Sequence, residues 1–317
     1  MSHEFSRRSF LKTGALLGAS SLVGGKVLAE LAGPAVTPVQ AAEKSTIVAV
    51  TSADAFAAAR RAVDELGGMQ KFVAPGARVA VLANVQRNNP GTYTKPEIVR
   101  AVIEMCRESA AREIAFVSWL PQTAWDAAGL TPVITAGGAT LTIADRKDES
   151  LFAPVPVPRG KALKDARIMK DFLDYDVFIN VPVTKDHLGN RFTGTLKNLM
   201  GLNSPVSNRT FHQENWATDA GAIAHLEQCI ADLNTVVTPD LCLVDATEFI
   251  ITNGPFGPGE LLRPQQVVAG TDRVALDAYC CTLWGLKPEE ILSIRYAAEH
   301  GLGRLDPSAV HRKDITL

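Results

Sequence analysis

The chain has 317 residues, with 32 Lys and Arg against 34 Asp and Glu and a formal net charge of −2. That balance supplies no positive field for a polyanion, so nucleic acid is excluded as a partner. A hydrophobic content of 46% is enough for a substantial core, and the five cysteines (106, 229, 242, 280 and 281) form no Cys-x-x-Cys and no cluster-binding run. No iron–sulfur cluster is therefore expected.

The first element along the chain is an export signal. Ser6-Arg7-Arg8-Ser9-Phe10-Leu11-Lys12 has the paired arginines, Phe-Leu and Lys of a twin-arginine signal, and leads into a mildly apolar run from Gly14 to Leu31. That run is too interrupted by small and polar residues to span a bilayer. Small residues at Val39-Gln40-Ala41 offer cleavage after Ala41, and Val27-Leu28-Ala29 also fits. Residues 1–41 are thus expected to be a signal read by the twin-arginine translocase. Residues 42–317 are expected to form a single exported, periplasmic domain with no transmembrane segment after cleavage.

Beyond the signal, short β-rich runs alternate with helical ones. Thr46–Val50, Arg78–Ala83, Glu113–Val117, Ala139–Ala144, Asp176–Val181 and Asp240–Val244 predict strands. Ala53–Leu66, Lys95–Ser109, Ala166–Leu173, Asn215–Leu233 and Arg273–Leu283 predict helices. The strand runs are continuously apolar, as expected when both faces of a sheet are covered. The fold class that follows is α/β, a layered, mostly parallel sheet flanked by helices. The Pro-rich segment Pro154–Pro158 predicts a linker or an edge passage.

In such sheets ligands bind beyond the carboxyl ends of the strands. Three predicted strands deliver polar groups there: Asn84 with its loop, Thr184-Lys185-Asp186-His187, and Asp245-Ala246-Thr247-Glu248. Lys185 and His187 read as an anion clamp or an acid/base pair. Soon afterwards Thr193-Gly194-Thr195-Leu196-Lys197-Asn198-Leu199-Met200-Gly201-Leu202 places Lys197 and Asn198 in an otherwise apolar turn. A Lys and an Asn on a buried short helix need partners or a ligand. The competing reading is a lysine that snorkels to solvent. Asp277, inside Val274–Tyr279, is a buried carboxylate that needs a hydrogen-bond partner or a cation. His187, His212, Asp245 and Glu248 offer mixed ligand types without metal-site spacing, so no metal is assigned. Asn253–Gly259 lacks the ending of a phosphate loop and reads as a rigid turn or as a lid over the crevice.

These residues resemble the domain of unknown function 362 family over roughly Val79 to Leu286. The likeness rests on the Asn84 loop with Thr94-Lys95-Pro96-Glu97, on Asp176 to Pro182 leading to Lys185 and His187, and on the Lys197-Asn198-Leu199-Met200-Gly201 block. Asp245, Gly254-Pro255 and Gly270 to Asp277 complete it. The family pattern has a Lys just before the Asn84 loop, where this chain has Leu82-Ala83, and some relatives carry ferredoxin-type cysteine motifs that are absent here. The resemblance implies a fold and a candidate site without naming a reaction.

The sequence therefore points to an exported, enzyme-like protein that binds a small anionic ligand. Its expected catalytic residues are Lys185, His187, Lys197 and Asp245, with Asn84, Asn198 and Asp277 as ligand-binding residues and a metal or redox role left open. The alternative is a non-catalytic periplasmic binding or accessory protein that serves a metalloenzyme. Changing Arg7 and Arg8 together to Lys should leave folded precursor in the cytoplasm of a twin-arginine-competent host. Cell fractionation checks this, and normal periplasmic accumulation would remove the export assignment.

Overall fold

A computed structural model describes residues 45–317. The expected signal and both cleavage positions lie outside the described residues. The chain runs β1 (Ser45–Thr51), α1 (Ala55–Asp64), β2 (Arg78–Ala83), α2 (Pro96–Glu108), β3 (Glu113–Ser118), α3 (Gln122–Ala127), α4 (Leu130–Ala136) and β4 (Thr140–Ile143). It continues with β5 (Phe152–Pro156), β6 (Asp165–Met169), β7 (Val177–Val181), α5 (Thr195–Asn198), α6 (Pro205–Phe211), α7 (Ala220–Leu233) and β8 (Leu241–Ala246). Then follow β9 (Phe249–Ile250), β10 (Leu261–Leu262), β11 (Gln266–Gly270), α8 (Arg273–Thr282), α9 (Leu292–Glu299) and β12 (Val310–Thr316).

An eight-stranded sheet in the order β12-β1-β11-β8-β7-β2-β3-β4 forms the centre. Only β11 runs against the rest, pairing antiparallel with both β1 and β8. The sheet is thus mostly parallel and mixed, and β2, β3, β7 and β8 all end at one edge. Alternation along each strand divides the core. Val48, Val50, Val79 and Val81 face one side, where they pack with Ala58 of α1, Ile98 and Val102 of α2, Trp125 of α3 and Ile134 of α4. Ile47, Ala49, Ala80 and Leu82 face the other, against Leu196, Ile230, Leu276 and Ile294. Both faces are apolar because both are covered, which explains the unbroken hydrophobic runs.

Local chemistry sets the helix starts. Asp54 caps α1 by accepting from the Ala57 N–H at 3.0 Å, and Pro96 occupies the first turn of α2, where its missing donor costs nothing. Asp219 accepts from the Ala222 N–H at 2.8 Å and begins α7 at Ala220, five residues beyond the expected start at Asn215. The intervening turn carries Trp216.

Two expectations are corrected. Ala166–Leu173 is not a helix: Asp165–Met169 is strand β6, paired antiparallel with β5, and Asp171–Asp174 forms a 3-10 turn. The reason is a period-two pattern, with Ala166 and Ile168 buried and Asp165 and Arg167 exposed. Pairing with β5 outweighs the weak helical preference of the segment. Of the two readings of Pro154–Pro158, the edge passage holds and the linker does not. Pro154 and Pro156 occupy exposed positions of β5, in a two-stranded hairpin whose inward residues Phe152, Val155 and Ile168 join the core.

Candidate functional site

The parallel strand ends carry loops that are tied to one another. Beyond β7, Lys185 and Thr193 exchange backbone hydrogen bonds of 3.2 and 2.8 Å, which closes residues 186–192 into a loop that holds His187. The Asp186 N–H donates to the Ile250 carbonyl at 2.9 Å, and the Asp186 carboxylate accepts from the Gly254 N–H at 2.7 Å. A Cβ on Gly254 would lie 1.8 Å from the Asp186 carbonyl oxygen, so only glycine permits this approach. The Asn253–Gly259 segment thus packs on the His187 loop. It also reaches the Asn84 loop, because Asn89 Nδ2 donates to the Phe256 carbonyl at 2.7 Å.

Behind these loops runs a continuous chain of buried hydrogen bonds. Lys185, fully buried, donates from Nζ to Asn84 Oδ1 at 2.9 Å and to the Thr92 carbonyl at 2.7 Å. Asn84 Nδ2 donates to Asn198 Oδ1 at 2.9 Å. Asn198 Nδ2 in turn donates to the Leu82 carbonyl at 3.2 Å and to Asn180 Oδ1 at 2.7 Å. Asn180 Nδ2 closes the chain on the Thr195 carbonyl at 3.0 Å. An ammonium at one end and carbonyls at the other fix every amide orientation, since the first cannot accept and the second cannot donate. Asn84 consequently keeps one N–H free, and its oxygen is taken.

Asp277 holds the short helix α5 in place. Its two carboxylate oxygens accept from the Thr195 and Leu196 N–H groups at 2.6 and 3.0 Å. A Cβ on Gly194 would come within 2.3 Å of Asp277 Oδ1, which accounts for glycine at that position. Burial raises the Asp277 carboxyl to about 6 against these stabilising N–H donors. Asp245 is likewise saturated, accepting from the Lys95 N–H at 2.8 Å, the Thr247 N–H at 3.0 Å and the Thr247 hydroxyl at 2.6 Å. Burial also pushes its carboxyl up.

In front of this scaffold lies a cavity of about 190 Å³ at the ends of β2, β3 and β7, and its wall includes Asn84, Ser118, His187, Lys197, Asn198 and His212. Lys185, Asp245 and Asp277 are not part of that wall; they brace the loops and helix behind it. Lys197 is half-buried, and its Nζ has only Met200 Sδ, at 3.6 Å, as a neighbour within bonding reach. Burial lowers its ammonium to about 8, opposed by the charge of Glu227. His187 Nδ1 lies 2.8 Å from the Leu188 carbonyl and His212 Nδ1 lies 2.8 Å from the Asn208 carbonyl. A carbonyl cannot donate, so each Nδ1 carries the proton and each Nε2 keeps its lone pair. The Trp216 ring sits between the two imidazoles, with centroids 5.6 Å from His187 and 4.9 Å from His212. Burial, then the Lys197 charge, holds His187 well below the usual histidine value and lowers His212 too. Both rings are neutral at pH 7.

Of the residues read from the sequence, Asn84, His187, Lys197, Asn198 and His212 meet at the cavity. Glu248 is turned away, paired with Arg263 at 2.7 Å. Among the described residues, no three His, Cys, Asp or Glu side chains are grouped to hold a metal ion. No described helix is long and apolar enough to cross a membrane. Asn180 and Glu227 escaped the sequence reading. Asn180 is the one polar residue of β7, and such a residue in a strand covered on both faces must have a partner, which is the signal that would have found it. Glu227 lies buried in α7, bonded to Asn190 Nδ2 and, at 2.6 Å, to the Ser293 N–H; its carboxyl is pushed up to about 7 by burial.

The family model described as Domain of unknown function (DUF362) matches residues 79–282, which hold every one of these groups. The chain belongs to the DUF362 family. It is 28% identical over 265 residues to thylakoid-associated protein sll1697 of Synechocystis, covering 80% of this chain and 76% of that one. Among solved structures, the DUF362 chain is similar to the lactate racemase apoprotein of Thermoanaerobacterium thermosaccharolyticum, with a TM-score of 0.50 and 13% identity over 74% of this chain. The match spans 56% of the racemase, and at that identity it shows a shared α/β fold alone.

The buried Lys185 of this DUF362 site makes folding depend on pH. Burial first, then the charge of Lys197, lowers its ammonium from 10.5 to about 7. Between those values the unfolded chain binds the proton and the folded chain does not, so this group adds stability as pH rises from about 7 to 10.5. Thermal melts should show wild type gaining on Lys185→Met across that window. Parallel curves for the two proteins would mean that the Lys185 environment does not discriminate against charge.

Proposed function

We propose that this is an exported, enzyme-like member of the DUF362 family that binds a small anion in the strand-end cavity and moves protons on it. The observation that supports this reading best is Lys197: an ammonium at the cavity wall with no carboxylate bonded to it, in a wall without any Asp or Glu. A desolvated cation of this kind is balanced when an anion enters. Lys197 is then the anion holder, Asn84 offers its free N–H, and Lys185 orients Asn84 from behind.

Two neutral imidazoles beside the same cavity supply the acid/base function. With Nδ1 committed to a backbone carbonyl, Nε2 of His187 and of His212 is the atom that accepts a proton from the bound ligand or returns it. Trp216 fixes both rings. In this reading Asp245, Asn198 and Asp277 shape the site without touching the ligand. Export by the twin-arginine route is part of the same proposal and rests on Arg7 and Arg8; the Synechocystis relative is described as thylakoid-associated, which is a property of that protein.

The test replaces Lys197 by Met, which keeps the apolar stem and removes the charge. A charge-assisted hydrogen bond contributes roughly 1.5–3 kcal/mol, so affinity should fall about ten-fold or more. Calorimetric titration with acetate, lactate, phosphate and sulfate would measure it, with thermal melting as the check that the variant folds. If every anion that binds wild type binds Lys197→Met equally well, Lys197 is only scaffold. Binding without proton exchange at the ligand carbon, followed by NMR in deuterated buffer, would leave a non-catalytic binding protein.

A further inference from the structure

The chemistry of the cavity wall narrows the class of ligand, and this narrowing rests on the anion-binding reading above. We propose that the occupant is a small monocarboxylate, a short organic acid with a compact carbon body, and not a phosphate, a sulfate or a dicarboxylate.

Charge is the first argument. Among the described residues Lys197 is the only formally charged side chain in the wall, because burial and the Lys197 charge favour neutral imidazoles and no Arg, Asp or Glu is present there. Behind the wall Glu227 is buried, held by the Ser293 N–H at 2.6 Å, and its charge acts on Lys197 without a hydrogen bond to it. The wall itself therefore presents a single formal positive charge. A single negative charge balances it. A dianion would bring one charge more than the wall balances.

The second argument concerns donors. Phosphate and sulfate are usually held by guanidinium groups or by the free N–H groups at a helix N-terminus. The only helix start that enters this site, that of α5, already holds an internal anion: Asp277 accepts from Thr195 and Leu196 there, at 2.6 and 3.0 Å. What remains at the wall is one ammonium and a set of neutral donors. Lys197 Nζ lacks an oxygen partner, Asn84 has one free N–H, and Ser118 Oγ, which accepts from the Leu120 N–H at 2.9 Å, still has its hydroxyl proton; Thr193 Oγ1 and Trp119 Nε1 are buried there without a partner, and Gln86 adds its amide. Asn198 and Asn208 have both amide hydrogens engaged, on Leu82 and Asn180 and on Met200 and Asn203. Apart from Lys197 these free donors are all neutral, which suits the single charge of a carboxylate better than a polyvalent tetrahedral oxyanion.

Size and polarity complete the case. The cavity of about 190 Å³ is below the ~300–1,000 Å³ of pockets that take drug-sized ligands and near the ~150 Å³ that encloses a benzene ring. Leu82, Ala83, Trp119, Leu120 and Met200 form its apolar side, a surface for carbon.

The decisive experiment is a calorimetric titration of the folded chain with propionate, lactate and benzoate, set beside propionamide, inorganic phosphate, sulfate and succinate. At least one monocarboxylate should bind at least ten-fold more tightly than propionamide and than each polyvalent anion, and Lys197→Met should lose that preference. Tighter binding of phosphate, sulfate or succinate overturns the monocarboxylate assignment and leaves the anion site standing. Equal binding of propionamide and propionate overturns both. Failure of all three monocarboxylates to bind also overturns the assignment. Because the carboxylate and amide comparison is made on wild type, the outcome does not depend on the variant folding.

Discussion

A buried ammonium without a carboxylate partner organises this protein. Lys185 is enclosed by protein, and its charge is solvated only by an amide oxygen and a backbone carbonyl. Leaving such a group without those oxygens would cost several kcal/mol, so the positions of Asn84 and Thr92 are dictated by it. Each consequence leads to the next. Asn84 with its oxygen committed must donate onward, Asn198 must accept, and Asn180 must stand where the last carbonyl can be reached. The ends of β2 and β7 and one short helix are thereby locked in register by side chains that no helix or sheet ladder requires.

The sheet makes that lock possible. Parallel strands β2, β7 and β8 bring Asn84, Lys185 and Asp245 to one edge although they are far apart in sequence. The reversed strand β11 completes the sheet between β8 and β1, and its exit positions α8, from which Asp277 meets the start of α5. Asp245 serves the same end from the other side: it ties Lys95, at the start of α2, to the Thr247 turn after β8. The carboxylates of this site act on backbone N–H groups. The lysines and imidazoles are what is left for chemistry.

How much of this the sequence revealed depends on how local each signal is. Arg78–Ala83 was legible to the residue because Val79 to Ala83 bury on both faces, and the strands at Leu241–Ala246 and Val177–Val181 were legible within a residue or two for the same reason. Edge elements were not. The exposed and partly exposed residues of Val310–Thr316 make a strand only because β1 lies beside them, and Asp165–Met169 needs β5. At the site, polar residues at strand ends drew attention to Asn84, Lys185, His187 and Asp245, and the apolar setting of Lys197 and Asn198 drew attention to those two. Which of them face a cavity is a long-range matter. His212 and Trp216 come from a connection between α6 and α7, and only their packing with His187 makes them part of the same wall.

The placement of Asp277 determines how an external ligand can be recognised. A one-turn helix whose first N–H groups were free would invite any anion to its start by backbone geometry, with little regard for the ligand's shape. Here that start is closed by an internal carboxylate, which Gly194 admits by lacking a Cβ. Lys197 and Asn198 come two and three residues later on the same turn, so the capped end fixes where Lys197 stands while contributing no donor to the ligand. Recognition is transferred from backbone to side chain. It follows that ligand choice in this fold can be altered at Lys197, Gln86, Leu120 or Met200 without disturbing the amide chain or the cap behind them, whereas changes at Asn180, Asn198 or Asp277 would be felt first as lost stability.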